Sequence, residues 1–511
     1  MIVLSGVALK EVDRGCALYT SMLEIHSRIA LQDPTIWGKP AEAEATIRLN
    51  WVNLDETSRD LLPILDALTA KFKGDKDLVL CGMGGSSLAP EVIAQTFKKP
   101  IFIIDSTDPN YFSHALQGDP QKLLIIISSK SGSTIETASA SAFFIEYLKD
   151  AGLDPTNHMV FVTDPNSAMD LSARESGFSV INADPNVGGR FSALTAFGLT
   201  PAALMGIDTS VLLDQASDCK AQLTLHPEIV LDVTYLLFTQ AQQFLAFTDA
   251  RSAYPGLSEW IEQLIAESTG KEGRGRLPIA IQSLAEANLG GAFPISFAPG
   301  GALVVQAELG EHFLFWEWVT ALLSALLKVD PFNQPNVTEA KEATATILRE
   351  WNNALPTLHP ESQDGEVAIY GAGNSIVASL KNLIAISDAE GYIAIMAYLD
   401  RRQDSQIVQL QELLAEKSGR PVSFGWGPRF LHSTGQFHKG GQQNGSFLQI
   451  TGVTDQKIAI PGSDFDFSTL LMAQALGDAK ALSARKYPLL RLHLNNRSAG
   501  ITQILNAAQS L

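Results

Sequence analysis

Cysteine, positive charge and long apolar runs are all scarce in this chain. The three cysteines, Cys16, Cys81 and Cys219, form an odd and scattered set with no C-x-x-C pair. That argues against a disulfide framework or a Cys-based zinc site and fits a reducing cytoplasm. Lys and Arg total 37 against 55 Asp and Glu, a formal net charge of −18. A nucleic-acid binder would want the opposite balance, so no nucleic-acid partner is expected. The most apolar window, Phe313 to Leu327, is 15 residues long and contains Glu317, too short to span a bilayer. The opening MIVLSGVALKEVDRG lacks a basic n-region, so no signal peptide and no membrane partner are expected.

What is present reads as globular. The 511 residues are 46% hydrophobic and 18% charged, with a mean hydropathy of +0.08, enough for two or more packed units. No internal repeat of fixed period is found. Residues 1–72 read as a helical arm with apolar 3–4 spacing at Leu61, Leu62, Leu65 and Leu68. Then short apolar segments, Leu78–Cys81, Ile101–Ile104, Leu123–Ile127 and Met159–Val162, alternate with helical ones. Continuous apolar strands separated by helices predict a parallel sheet covered on both faces, an α/β unit over 73–205. A helical connector is expected over 206–258. A second α/β pattern follows in 259–511, with strands at Leu277–Ile281 and Ala302–Val305, a helix at Glu311–Lys328 and another from Pro335. After a polar connector at 355–366 the alternation resumes with Val367–Tyr370, Tyr392–Ala397, Ile407–Lys417, Val422–Phe424 and Phe447–Ile450. The pattern leaves open whether 367–511 is a third unit or completes the second.

Five segments could carry chemistry. Ser129, Lys130, Ser131, Gly132, Ser133 and Thr134 follow the strand Leu123–Ile127 and open a helix containing Glu136. Backbone N–H groups at a helix start, hydroxyls and one Lys make a phosphate cradle. The plainer alternative is an N-capping turn, and six such residues exceed what one cap needs. Gly82-Met83-Gly84-Gly85-Ser86-Ser87 is a second glycine turn after a strand, without the spacing of a dinucleotide site. Gly188-Gly189-Arg190-Phe191-Ser192 places an Arg where it could meet an oxyanion or phosphate, or form a surface salt bridge. Gln263 and Glu267 share a helix face at i and i+4; Glu267 is either a solvated charge or a general base. Gln334 and Lys341, two turns apart, share another face. Near the end, His432 and His438 lie among glycines and polar residues, at a spacing poor for a shared metal.

Together these segments resemble the phosphoglucose isomerase family, built on the sugar-isomerase (SIS) fold. Gly82–Ser86 is similar to its G-x-G-G-S turn, and Ser129–Thr134 with Glu136 to its S-K-[ST]-x-[ST]-T-x-E phosphate loop. Gly188–Ser192 resembles G-G-R-[FY]-S, and Gln263 with Glu267–Lys271 resembles Q-x-x-x-E-S-x-G-K. Phe332–Lys341 is similar to F-D-Q-x-G-V-E-x-x-K, with Asn333, Asn336 and Thr338 replacing Asp, Gly and Glu. The family's L-H-S-x-G-Q segment normally lies between the base and this Lys; here its match, Leu431–Gln436, comes after Lys341. That order resembles the isomerase half of fused transaldolase/phosphoglucose-isomerase proteins, with the transaldolase half expected to be absent.

The resemblance implies two SIS-type doubly wound parallel-sheet subdomains with helical arms, the second (259–511) rearranged in sequence order. It implies interconversion of glucose 6-phosphate and fructose 6-phosphate through ring opening and a cis-enediol, without metal or organic cofactor. The implied catalytic residues are Glu267, His432, Lys341 and Arg190, with Ser86, Ser129, Lys130, Ser131, Thr134, Gln263 and Gln334 binding the sugar phosphate. It also implies a homodimer with the His supplied across the interface, where Glu136 would orient His432. Two alternatives stand beside this reading: an isomerase also acting on mannose 6-phosphate, and a non-catalytic sugar-phosphate sensor.

Overall fold

The computed structural model describes residues 1–241, 243–351, 355 and 358–511; side chains of 337–341, inside a helix, lie outside this description. Two residues of the expected connector, 356 and 357, also lie outside the described residues.

Residues 77–182 form the sheet that positions the site. Strands Asp77–Gly82, Phe102–Ile104, Leu123–Ser128, Met159–Thr163 and Ser179–Asn182 all run parallel, in spatial order second, first, third, fourth, fifth. The alternation of side chains explains why these strands read as unbroken apolar runs. Leu78, Leu80, Leu124, Ile126, Val160 and Val162 enter one core with helices Leu88–Thr96 and Ala196–Leu204. Val79, Cys81, Ile125, Ile127, Met159 and Phe161 enter another with helices Ile135–Asp150 and Phe467–Ala484. Each such side chain removed from water contributes roughly 1.5–3 kcal/mol. Cys81 is wholly buried, and burial pushes its thiol well up, which makes it a packing residue. The strand order reverses between the first and third strands, and open α/β sheets bind ligands at that crevice, beyond the carboxyl ends. The turns Gly82–Ser86 and Ser128–Thr134 flank it.

The α/β class with parallel sheets therefore holds. The pattern left open whether 367–511 is a third unit, and the resemblance implied two subdomains; the strands sort into three sheets. The second has the order Val3–Ser5, Leu303–Gln306, Phe293–Ser296, Phe244–Thr248, Leu277–Ala280, parallel apart from Val3–Ser5. The third has the order Ser362–Asp364, Val367–Tyr370, Leu489–Leu494, Gly445–Gly452, Tyr392–Tyr398, Val422–Trp426, and its last four strands are parallel. Residues after 362 thus make a sheet of their own, but it docks on the second one. Tyr392, Ala394, Met396 and Phe447 share a core with Phe244, Ala246, Leu277 and Ile279.

Two segments differ from their sequence reading. Val3–Ser5 is an edge strand within the helical arm, too short for periodicity to reveal. Phe244–Thr248 sits inside the stretch read as helical, because a five-residue apolar run cannot be told from buried helix by its period. Ile407–Lys417, a member of the strand-helix alternation, lies mainly in the helix Gln409–Ser418. Among the described residues no helix is long and apolar enough to cross a membrane.

Candidate active site

A cleft of about 350 Å³ opens at the crevice predicted by the strand order, and it is lined by residues from all three regions of the chain. Ser86, Ser129, Lys130, Ser131, Thr134, Arg190, Gln263, Glu267, Gln334 and His432 all border it. The structure thus brings together ten of the twelve residues singled out above. Glu136 stands behind His432, and the Lys341 side chain lies outside the described residues.

The loop Ser129–Thr134 folds on its own hydroxyls. The Ser129 hydroxyl donates to Thr134 Oγ1 at 3.3 Å and accepts from the Gly132 N–H at 3.2 Å, while Ser131 Oγ accepts from the Ser133 N–H at 3.3 Å. Gly132 has φ +69°, where a Cβ would lie 2.7 Å from Met169 Cβ, so glycine is required. Thr134 is the N-cap of the helix Ile135–Asp150 but makes no side-chain cap bond. The capping reading therefore fails, and Thr134 and Thr137 place the start of this 16-residue helix, the positive end of its dipole, at the cleft. Lys130 is bound to Asp164, Nζ to Oδ2 at 2.6 Å. Burial lowers the lysine's pKa and raises that of the aspartate, although each opposite charge works against that change.

The glycine turn gives close approach. Gly84 has φ +56°, and a Cβ there would lie 2.7 Å from Gln263 Nε2 and 3.0 Å from the His432 carbonyl oxygen. A Cβ on Gly85 would lie 1.9 Å from the Gly189 carbonyl oxygen. Two backbone turns, one from each motif, touch at that point.

Arg190 is neither exposed nor a surface bridge. Its Nε donates to Ser268 Oγ at 3.0 Å, and its NH2 to the carbonyls of Pro331 and Asn333 at 2.5 and 2.8 Å. Its NH1 meets Gln334 Oε1 at 3.2 Å and Glu267 Oε1 at 3.0 Å. Glu267, buried in the last turn of the helix Leu257–Thr269, also accepts from Gln263 Nε2 at 3.2 Å. A carboxylate is disfavoured at a helix C-terminus, and the guanidinium offsets this. Removing one partner of such a buried pair costs about 3–5 kcal/mol. Lys271, buried beyond the helix end, donates to the Asp330 carbonyl and fixes the turn that presents Pro331, Asn333 and Gln334 to Arg190.

His432 comes from the 3-10 turn Arg429–His432, after the third sheet's edge strand. Its Nε2 donates to Glu136 Oε1 at 3.0 Å, and Gln474 Nε2 donates to the same oxygen at 2.7 Å. This contact forms within one chain. The resemblance implied this contact across a dimer interface; here Glu136 and His432 of the same chain meet. Arg429 anchors the turn through Glu91, Asp105 and Glu259 at 2.7, 2.9 and 2.5 Å. Gln436 pairs with Asn336, Nε2 to Oδ1 at 2.8 Å and Oε1 from the Asn336 N–H at 3.0 Å.

Sequence reasoning missed Arg48, Ser128, Thr137 and Asp164, which also border the cleft. The Ser128 and Thr137 hydroxyls are buried without a hydrogen-bond partner among the described residues. Thr137, one helical turn beyond Thr134, could have been found by its spacing; nothing local marks Arg48.

Sheet order and crevice define an α/β protein whose cleft lies where open parallel sheets bind ligands. The comparisons make this specific. Residues 66–272 match the model of the family described as phosphoglucose isomerase. The glucose-6-phosphate isomerase of Campylobacter jejuni is 33% identical over 206 residues, 39% of this chain and 51% of that one. The enzyme of the same name from Thermus thermophilus is 32% identical over 238 residues, 44% and 56% respectively. The chain spans about half the length of the curated relatives it matches. Among solved structures, the glucose-6-phosphate isomerase of Chlamydia trachomatis shares the fold with a TM-score of 0.55 at 18% identity, covering 69% of this chain and 89% of that one. Residues 66–272 are thus similar to the phosphoglucose isomerase family; Gln334, Lys341 and His432 lie beyond the matched segment.

Proposed function

We propose that the protein is a glucose-6-phosphate isomerase that interconverts glucose 6-phosphate and fructose 6-phosphate through a cis-enediol. The observation that carries this reading is the convergence of Glu267, Arg190 and His432 on a cleft with an uncapped helix start at its other end. The phosphate would sit on Ser129, Ser131, Thr134 and the helix N–H groups, with Lys130 beside it, orienting the sugar by its unreactive end. His432, with Lys341, would deliver a proton to the ring oxygen while one leaves the C1 hydroxyl, opening the ring. Glu267 would remove the C2 proton and return it to C1. The NH1 edge of Arg190 would face the charge that develops on the enediolate oxygen, an electrostatic contribution of about 3–4 kcal/mol. Gln263, Gln334 and Ser86 would hold hydroxyl groups, and Glu136 would orient His432.

We place 73–205 as the phosphate-holding subdomain and 259–511 as the part supplying base and histidine, joined by 206–258 and flanked by the arm 1–72. A cytoplasmic homodimer remains the expected form. The test is conversion of fructose 6-phosphate in a dehydrogenase-coupled assay with EDTA present. Wild type should turn over, and Glu267→Gln should lose several orders of magnitude. Binding of the sugar phosphate without turnover would make this a sensor instead.

A further inference from the structure

A second cleft, of about 390 Å³, lies away from the site above, between the edges of two sheets. Its lining includes Phe102 and Ile103 of the first sheet's edge strand Phe102–Ile104 and Trp426, last residue of the third sheet's edge strand Val422–Trp426. In a chain of net charge −18, this cleft is cationic. Lys99, Arg401 and Arg402 line it against a single carboxylate, Glu91. Arg401 is committed: its NH1 meets Glu91 at 2.7 Å, and its Nε donates to Tyr111 Oη at 2.7 Å. Lys99 and Arg402 are exposed, and neither has a carboxylate partner among the described residues. The Arg402 guanidinium lies 4.5 Å from the centroid of the Phe102 ring, which supports it while leaving its N–H groups to solvent.

We propose that this cleft binds a nucleotide, its phosphates on Lys99 and Arg402 and its base against Trp426. Two unpaired cations offer charge-assisted hydrogen bonds to phosphate oxygens, and Arg presents a planar fork suited to them. The Trp426 indole in the lining supplies the stacking face, and the volume falls within the range of small-molecule sites. A purely anionic ligand would leave the aromatic wall unused. The inference does not depend on the isomerase reading, since its test is a binding measurement.

The experiment is calorimetric titration of the full chain with ADP, inorganic pyrophosphate and adenosine separately, repeated on Lys99→Ala and Arg402→Ala. Both side chains are exposed, so both variants should fold. The expected result is saturable one-site ADP binding, about tenfold or more tighter than either fragment and weakened about tenfold by each substitution. Absence of saturable binding at millimolar ADP overturns the proposal. So does binding that both variants leave unchanged, which would place ADP elsewhere. Pyrophosphate binding as tightly as ADP overturns the nucleotide assignment by removing any role for Trp426.

Discussion

Replacing Gly85 by Ala tests whether the contact between two backbone turns holds the site together. The new Cβ would lie 1.9 Å from the Gly189 carbonyl oxygen and 2.6 Å from its carbon, and real Cβ atoms essentially never approach closer than 3.0 Å. The turns must therefore part by at least 3.0 − 1.9 = 1.1 Å, and both obstructing atoms are backbone, so no rotamer change can relieve the clash. Gly189 immediately precedes Arg190, whose NH1 is 3.0 Å from Glu267. A displacement of about 1 Å near reacting groups can cost about a hundredfold in rate. Gly85→Ala should thus lower kcat for fructose 6-phosphate by about that factor, with a thermal midpoint only a few degrees lower if the turn moves as a unit. The assay is the coupled reaction beside a melting curve. Wild-type kcat in a folded Gly85→Ala protein would refute the reasoning, because the two turns would then be free to separate without disturbing Arg190.

Three further outcomes are expected. Glu136→Gln keeps a hydrogen-bond partner for His432 but removes its charge, so turnover of cyclic substrate should fall by about 10²-fold or less, a smaller loss than with His432→Ala, and the pH–rate profile should shift; an unchanged profile would show that Glu136 does not act through His432. Burial raises the Glu262 carboxyl to about 8 from its usual 4.5. The unfolded chain gives up that proton first, so this group's contribution is fully present below pH 4.5 and is lost as pH rises through 8, with a ceiling on the order of 5 kcal/mol. Denaturant midpoints should therefore fall with pH in wild type and fall less in Glu262→Gln; parallel curves would mean that Glu262 is hydrated. Because His432 meets Glu136 within one chain, specific activity should stay constant on dilution to concentrations where size exclusion shows monomer, and a loss of activity that tracks dissociation would put the histidine in the partner's site.

The first sheet was legible because a strand buried on both faces must be apolar at every position, and Leu123–Ile127 carries that signature without interruption. Its ligand loops were legible for a related reason: parallel strands put all their carboxyl-end turns on one edge, so Gly82–Ser86 and Ser129–Thr134 had to be neighbours. The partners of those loops were not legible. Asp164 takes the charge of Lys130 from the end of the next strand, and no local pattern marks an aspartate as facing a lysine 34 residues away. Val3–Ser5 and Phe244–Thr248 escaped because three to five residues are too few for a period to declare itself.

The displaced histidine segment shows what such motifs encode. Of Leu431–Gln436, only His432 borders the cleft, and Leu431 and Gln436 dock the segment. Leu431 is buried in the core shared by the second and third sheets. Gln436 Nε2 donates to the Gly270 carbonyl at 2.9 Å and to Asn336, tying the segment to the residue just past the base helix. Gly270 leaves room for the following Phe437, since a Cβ there would lie 2.5 Å from its Cα. These contacts are defined by surfaces rather than by chain order, so a segment that carries its own docking residues can enter the fold from a different position in the sequence. Loss of the Gln436 contacts should then free the His432 turn while leaving Glu267 and Arg190 in place. Gln436→Ala should accordingly lower turnover of cyclic substrate more than sugar-phosphate affinity, and an equal loss in both would show that the segment also shapes the phosphate end of the cleft.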